Sequence, residues 1–154
     1  MSIIELRYDR LGSRLRSIGA ARIDYDRWGS RARSVGYLPL SYDRFGSRLR
    51  SIGPARIAYD RGGSRPRTLG TWTIEHDRVG TRPRRLGPFE INYDRLGSRI
   101  RQIGPMTVDY DQLGARPARV HLPGQHAELP EELLVPLFFV LHLAREAEER
   151  RRSD

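Results

Sequence analysis

Ile4-Glu5-Leu6-Arg7-Tyr8-Asp9-Arg10-Leu11-Gly12-Ser13-Arg14-Leu15-Arg16-Ser17-Ile18-Gly19-Ala20 recurs, with variation, along most of the chain. Tyr8, Tyr25, Tyr42, Tyr59, Tyr93 and Tyr110 share one 17-residue register, with His76 in the remaining slot. Asp follows each of them, at 9, 26, 43, 60, 77, 94 and 111. Gly12, Gly29, Gly46, Gly63, Gly80, Gly97 and Gly114 keep the same beat. A second series, Gly19, Gly36, Gly53, Gly70, Gly87 and Gly104, runs until His121 breaks it. A fixed period marks a repeat architecture in which each unit is one supersecondary element. Residues 4–120 therefore hold seven units.

Each unit reads as strand, turn, strand, turn. Ile4, Leu6 and Tyr8 alternate with Glu5, Arg7 and Asp9, as a half-buried strand requires. In the turn Asp9-Arg10-Leu11-Gly12, Asp can accept bonds from the turn's own amides, and Gly12 can supply a positive φ. Turn capping accounts for the repeated Asp better than metal binding does. In the second strand Leu15 and Ile18 are three apart, so a bulge near Ser17 is needed to face both inward. Two registers fit: a three-residue turn sets Arg14 opposite Tyr8, whereas a four-residue loop sets Leu15 there and pairs Asp9 with Arg14.

Beyond the repeats, residues 121–129 read as a linker and 130–152 as a helix, with Pro130, Glu131 and Glu132 suited to its start. From Leu133 to Ala144 this helix has no polar face, so it must be walled on every side. The run is 12 residues long, against about 20 needed to span a bilayer, and contains Pro136 and His142. Fourteen strands laid flat would span roughly 65 Å, which one helix about 10 Å across cannot cover. Rolled into a ring they give a radius of roughly 11–14 Å, close to the sheet-to-helix packing distance. The expected fold is a single all-β repeat domain over residues 1–154. In it, seven β-hairpins form an antiparallel meander closed into a shallow barrel, with the C-terminal helix plugging the centre. Leu134, Leu137, Phe138 and Leu141 are the expected plug residues, and an open sheet is the competing arrangement.

The stretch from Tyr8 to Leu15 resembles the YD repeats of Rhs and teneurin shells, which share Tyr-Asp-x-x-Gly followed by Arg and an apolar residue. The likeness covers nearly all of residues 4–120, with a shorter period than in those shells. The inferred barrel around an apolar helix is similar to tubby-like domains and to β-flower barrels. That second likeness is architectural, and no site residue is carried over from it.

The formal net charge is +9, all 28 basic residues are Arg, and Cys is absent. The first five residues lack a basic or apolar leader pattern, which points to a cytoplasmic protein. No nucleophile elbow, P-loop, dinucleotide fingerprint or zincin motif is present, so neither an enzyme nor a cofactor is expected. His121, His126 and His142 are too loosely placed to imply a metal site. Nineteen Arg are locked to the repeat, in series that begin at Arg10, Arg14 and Arg16. In a hairpin meander all Asp-Arg-x-Gly turns lie at one end. Arg10, Arg14, Arg27, Arg31, Arg44, Arg48, Arg61, Arg65, Arg78, Arg82, Arg95 and Arg99 therefore ring one rim as candidate anion-binding residues. The competing role for them is to pair with Asp and Glu and stack on Tyr. The expected function is a monomeric, non-catalytic binding or structural module docking an acidic protein surface or anionic membrane headgroups. The alternative is a nucleic-acid binder that uses the same Arg with aromatic stacking.

Overall fold

A computed structural model describes residues 1–9, 14–27, 31–44, 48–62, 65–78, 82–95, 99–112 and 116–153. Fourteen strands alternate along the chain: β1 (Ser2–Tyr8), β2 (Leu15–Ile18), β3 (Ala21–Tyr25), β4 (Ala32–Val35), β5 (Leu38–Tyr42), β6 (Leu49–Ile52) and β7 (Ala55–Tyr59), then β8 (Pro66–Leu69), β9 (Trp72–His76), β10 (Pro83–Leu86), β11 (Phe89–Tyr93), β12 (Ile100–Ile103), β13 (Met106–Tyr110) and β14 (Pro117–Leu122). One helix, α1 (Glu131–Ser153), follows.

Each strand pairs with its sequence neighbours, and β1 pairs with β14, so the meander is a closed antiparallel barrel. At the seam Ser2 faces Leu122, Ile3 faces His121 and Ile4 faces Val120. Closure leaves no strand with an unpaired edge, which removes the open sheet as an alternative. His121 and Leu122, expected in the linker, belong to β14 instead. Because β1 begins at Ser2 rather than Ile4, the last strand has two further partners, and Leu122 is buried there. The linker starts at Pro123 and the helix at Glu131.

Register follows the four-residue loop. Tyr8 faces Leu15, the Asp9 amide donates to the Arg14 carbonyl at 2.9 Å, and the other six long hairpins repeat that bond. Arg7 faces Ser17 and Tyr8 faces Leu15, so Arg16 is the extra residue of a β-bulge. The bulge turns both Leu15 and Ile18 toward the core, resolving their three-residue spacing. All seven long hairpins shift register at the equivalent point.

At the opposite end two residues suffice. Ile18 faces Ala21 across Gly19-Ala20, and the glycines of this series have φ between +54° and +60°. Gly at the first position of a two-residue hairpin turn is the type II′ solution. The positive φ expected of the Gly12 series falls on residues 12, 29, 46, 63, 80, 97 and 114, which lie outside the described residues.

The inward Ile, Leu and Val side chains of the strands form one core with α1, in which residues 133–140 are all buried. Eight consecutive buried helical positions require a wall on every side, and the barrel supplies it. Of the expected plug residues, Leu134, Leu137 and Phe138 are buried, and Leu141 is half-buried against the same core. Pro136 is tolerated because it is the sixth helical residue. The carbonyl it leaves without an i+4 donor is that of exposed Glu132. Among the described residues no helix is long and apolar enough to cross a membrane.

The helix has a fixed direction in the barrel. Near the tight turns, the Ala20 amide donates to Glu128 Oε2 at 2.8 Å and the Tyr37 hydroxyl to Glu131. Ser2 Oγ holds the linker by donating to the Gly124 carbonyl and accepting from the His126 amide, each at 2.7 Å. At the other end the positive charge of Arg145 acts on the Tyr25 hydroxyl. The charged C-terminal turns of α1 thus emerge at the Asp-Arg end.

Candidate functional site: the arginine rim

The strands splay toward the rim. Between β2 and β3 only Ser17–Arg22 and Ile18–Ala21 are paired, so the Leu15 carbonyl has no β3 amide opposite it. Tyr25, the last residue of β3, fills that gap, and its hydroxyl donates to the Leu15 carbonyl at 2.5 Å. The same bond runs from Tyr42 to Ala32, Tyr59 to Leu49, Tyr93 to Pro83 and Tyr110 to Ile100. Tyr8 completes the circle by donating to the Pro117 carbonyl across the seam. A part-buried carbonyl without a donor is costly, which is why a residue with a long hydroxyl reach recurs here.

An Arg lies over each of these rings. Arg14 covers Tyr25, Arg31 covers Tyr42, Arg48 covers Tyr59, Arg82 covers Tyr93, Arg99 covers Tyr110 and Arg116 covers Tyr8, at 4.1–4.8 Å from the ring centres. These six guanidinium groups and that of Arg65 pair with the Asp five residues earlier, from Asp9 to Asp111, at nitrogen–oxygen distances of 2.5–3.7 Å. Asp also accepts from the Arg14, Arg65 and Arg99 amides at 3.4–3.5 Å, while residues 11–13 and most of their equivalents, whose amides the expected capping would use, lie outside the described residues. Burial raises the Tyr hydroxyls above their usual range, opposed by the overlying Arg, and Tyr42 is pushed up to about 12. Tyr8, Tyr59 and Tyr93 are shifted the same way by burial.

His76 departs from this pattern. Its Nε2 is buried and has no hydrogen-bond partner among the described residues. Burial, followed by the nearby positive charge of Arg65, lowers its pKa.

The candidate anion-binding residues therefore divide into two groups. Arg14, Arg31, Arg48, Arg65, Arg82 and Arg99 are built into the wall as Asp partners, and all but Arg65 cover a Tyr. Arg10 lies outside the described residues. Arg27, Arg44, Arg61, Arg78 and Arg95 are exposed at the rim, each directly after its Asp. The third series, from Arg16 to Arg101, stands outside the expected site. Its members are the exposed bulge residues, a belt on the outer wall just beyond the rim. The signal is the three-residue spacing of the apolar pair, which calls for a bulge between Leu15 and Ile18 without saying whether Arg16 or Ser17 is the extra residue.

Charge is polarised along the barrel axis. The tight turns carry Ala20, Tyr37, Pro54, Thr71, Pro88 and Pro105, and beside them lie Glu128, Glu131 and Glu132. Once each Asp is matched with its Arg, the rim retains the positive charge of Arg27, Arg61, Arg78 and Arg95, beside the mixed charges of the α1 C-terminal turns from Arg145 to Arg151. Among the described residues no His, Asp and Glu cluster can hold a metal. His121 pairs with Asp109 at 2.6 Å on the outer wall, while His142 stacks on Phe138, so the histidines do not converge. Comparison with protein-family models, with curated proteins and with solved structures yields no match for this chain.

Proposed function

We propose that the chain is a non-catalytic binding module whose rim docks an anionic surface, either an acidic protein or anionic headgroups. The observation that carries this reading is the surplus left after internal pairing. Arg27, Arg61, Arg78 and Arg95 are exposed, have no ion pair to a described residue, and share one end of the barrel, whereas Glu128, Glu131 and Glu132 lie at the opposite end. Such an axial charge separation orients the molecule toward an anionic partner and speeds encounter with it. A nucleic-acid role is less well supported, because the repeat's Tyr rings are already covered by Arg and offer no stacking platform. A cytoplasmic setting belongs to the same proposal and suits a chain without Cys.

The test is retention on a sulfated-polysaccharide column. The fourfold variant R27E/R61E/R78E/R95E should elute at markedly lower salt than the parent. R16E/R33E/R67E/R101E, an equal charge change on the outer wall, should shift elution less. Equal shifts would reduce the rim to one contributor to net charge, and an unshifted rim variant would overturn the reading.

A further inference from the structure

We propose that the outer wall of the first repeat binds the doubly charged phosphoryl group of a phosphomonoester, held by Arg7, Arg16 and Arg22 around the Ser17 hydroxyl. The site is separate from the rim and does not depend on anion docking there.

On the outer wall three residues line up across each repeat, one from each strand of the long hairpin and one from the strand that follows. In the fifth repeat Arg85 lies between Glu75 and Glu90, and in the seventh Arg119 lies between Asp109 and Glu5. The first repeat inverts that order of charge, with neutral Ser17 between Arg7 and Arg22. In each of the other six the same three positions hold at most one Arg. Like charges gathered on one face of a sheet oppose each other, so this departure calls for a physical reason. Arg16, the extra residue of the bulge, adds a third cation, and all three Arg are exposed.

The three Arg share one open recess of about 390 Å³ with Ser17, Gly19 and Ala20. Ser2 and Ser17 are the buried polar residues among those described. Ser2 holds the linker, whereas Ser17, 8 % exposed, makes no side-chain hydrogen bond to a described residue. A hydroxyl enclosed in this way is costly unless something bonds it. The acids nearest in register are engaged elsewhere. Glu5 faces Arg119, Asp24 accepts from Ser34 Oγ at 3.4 Å, and Glu128 accepts from the Ala20 amide. Arg7, Arg16 and Arg22 have no ion pair with a described residue. Two strand spacings, roughly 10 Å, separate Arg7 from Arg22, a span that two long side chains can close on one tetrahedral anion. Planar guanidinium forks bond phosphate oxygens in pairs, and three cations suit a dianion better than a singly charged carboxylate or sulfate ester. The recess is larger than a phosphoryl group alone, which leaves room for the organic part of an ester.

Calorimetry on the whole chain, with phenyl phosphate as the probe, tests the site. The parent should bind one equivalent at neutral pH. Arg7→Gln and Arg22→Gln should each weaken binding roughly tenfold, and Ser17→Ala should weaken it several-fold. Arg56→Gln removes an Arg that faces Ser51 as Arg22 faces Ser17, but with Ser41 rather than a second Arg opposite, and should leave affinity unchanged. Affinity should fall as pH drops through about 6, where the ester takes up its second proton, and phenyl sulfate should bind far more weakly. A phosphoserine peptide that binds more tightly than phenyl phosphate would assign the ester to a protein side chain, and one that binds less tightly to a small molecule; both support the site. Binding of neither probe would overturn it. So would an Arg56→Gln variant weakened as much as Arg22→Gln, or equal affinity for phenyl sulfate, since either would reduce the recess to diffuse surface charge.

Discussion

At the tight-turn end, each pair of strands is joined by Gly and one further residue, and backbone conformation alone reverses the chain. At the rim the same strands have splayed, and side chains hold them. A Tyr hydroxyl takes up the carbonyl stranded beside the bulge, an Arg covers the Tyr, and an Asp fixes the Arg. The first device needs one residue type at one φ and leaves no chemistry over. The second uses three side chains per repeat and leaves one basic residue in most turns without an internal role. That difference is why the candidate rim forms at one end of a nearly symmetric molecule.

The comparison presupposes one cooperative unit, which the helix provides. Phe139 is among the largest fully buried side chains. Phe139→Ala should cost about 3–5 kcal/mol and lower both ends together in a single denaturant transition. Separate transitions for tyrosine fluorescence and far-ultraviolet circular dichroism would show that the ends are independent.

Within the tight-turn end, two glycines of nearly equal φ separate conformation from crowding. Gly70 has φ +60°, and a Cβ there would sit 3.7 Å from Ala55 Cβ, an ordinary contact. Gly104 has φ +54°, but its Cβ would fall 2.5 Å from Phe89 Cδ1. Gly70→Ala should lose about 1–2 kcal/mol for the left-handed backbone. Gly104→Ala should lose that and about 1–3 kcal/mol more for overpacking. Equal losses in urea titrations would mean that the Phe89 ring moves aside freely.

At the rim, Tyr93→Phe removes the hydroxyl that donates to the Pro83 carbonyl at 2.6 Å and should cost about 1–2 kcal/mol. Alkali tests the whole circle. Tyr42 has a folded pKa raised from 10.0 to about 12, so its contribution is complete below pH 10 and is lost as pH rises through 12. Tyr8, Tyr59 and Tyr93 are raised too and add to the same slope. Urea midpoints should fall across this window, less steeply in Tyr42→Phe. A flat profile would deny the hydroxyls a structural role.

The sequence is legible where a period carries the information. Repeat number, closure through β1 and β14, and the buried helix all follow from a strict 17-residue spacing and an apolar run with no polar face. It is silent where two local solutions share one pattern, as in the placement of Leu15 or Arg14 opposite Tyr8. The Leu15–Ile18 spacing demanded a bulge, but only the paired backbones show that Arg16 is the residue left out. The rim was legible as an Arg-rich end. The division of labour within it was not, because Arg14 meets the Tyr of the following repeat, a contact between repeats that a consensus of single repeats does not display.

His76 offers the smallest effect and the sharpest control. By the geometry of the other six units, a Tyr at this position would donate to the Pro66 carbonyl and lie beneath Arg65, whose charge already acts on the imidazole. The shorter His ring leaves Nε2 buried without a partner among the described residues. His76→Tyr should therefore stabilise the barrel by about 1 kcal/mol, combining a neutral hydrogen bond with a cation–π contact. His76→Phe, which adds the ring without the hydroxyl, should recover only part of that gain. The pH dependence separates this from simple filling of space. The folded pKa of His76 is lowered from 6.5, so its contribution is present above pH 6.5 and declines as pH falls through the folded value. Tyr does not titrate in that range, so the advantage of His76→Tyr should widen on acidification, read as the difference in urea midpoint between variant and parent. An advantage that stays constant from neutral to acid pH would show that the imidazole protonates without strain. The seventh rung would then be an open position in the circle rather than a weakened one.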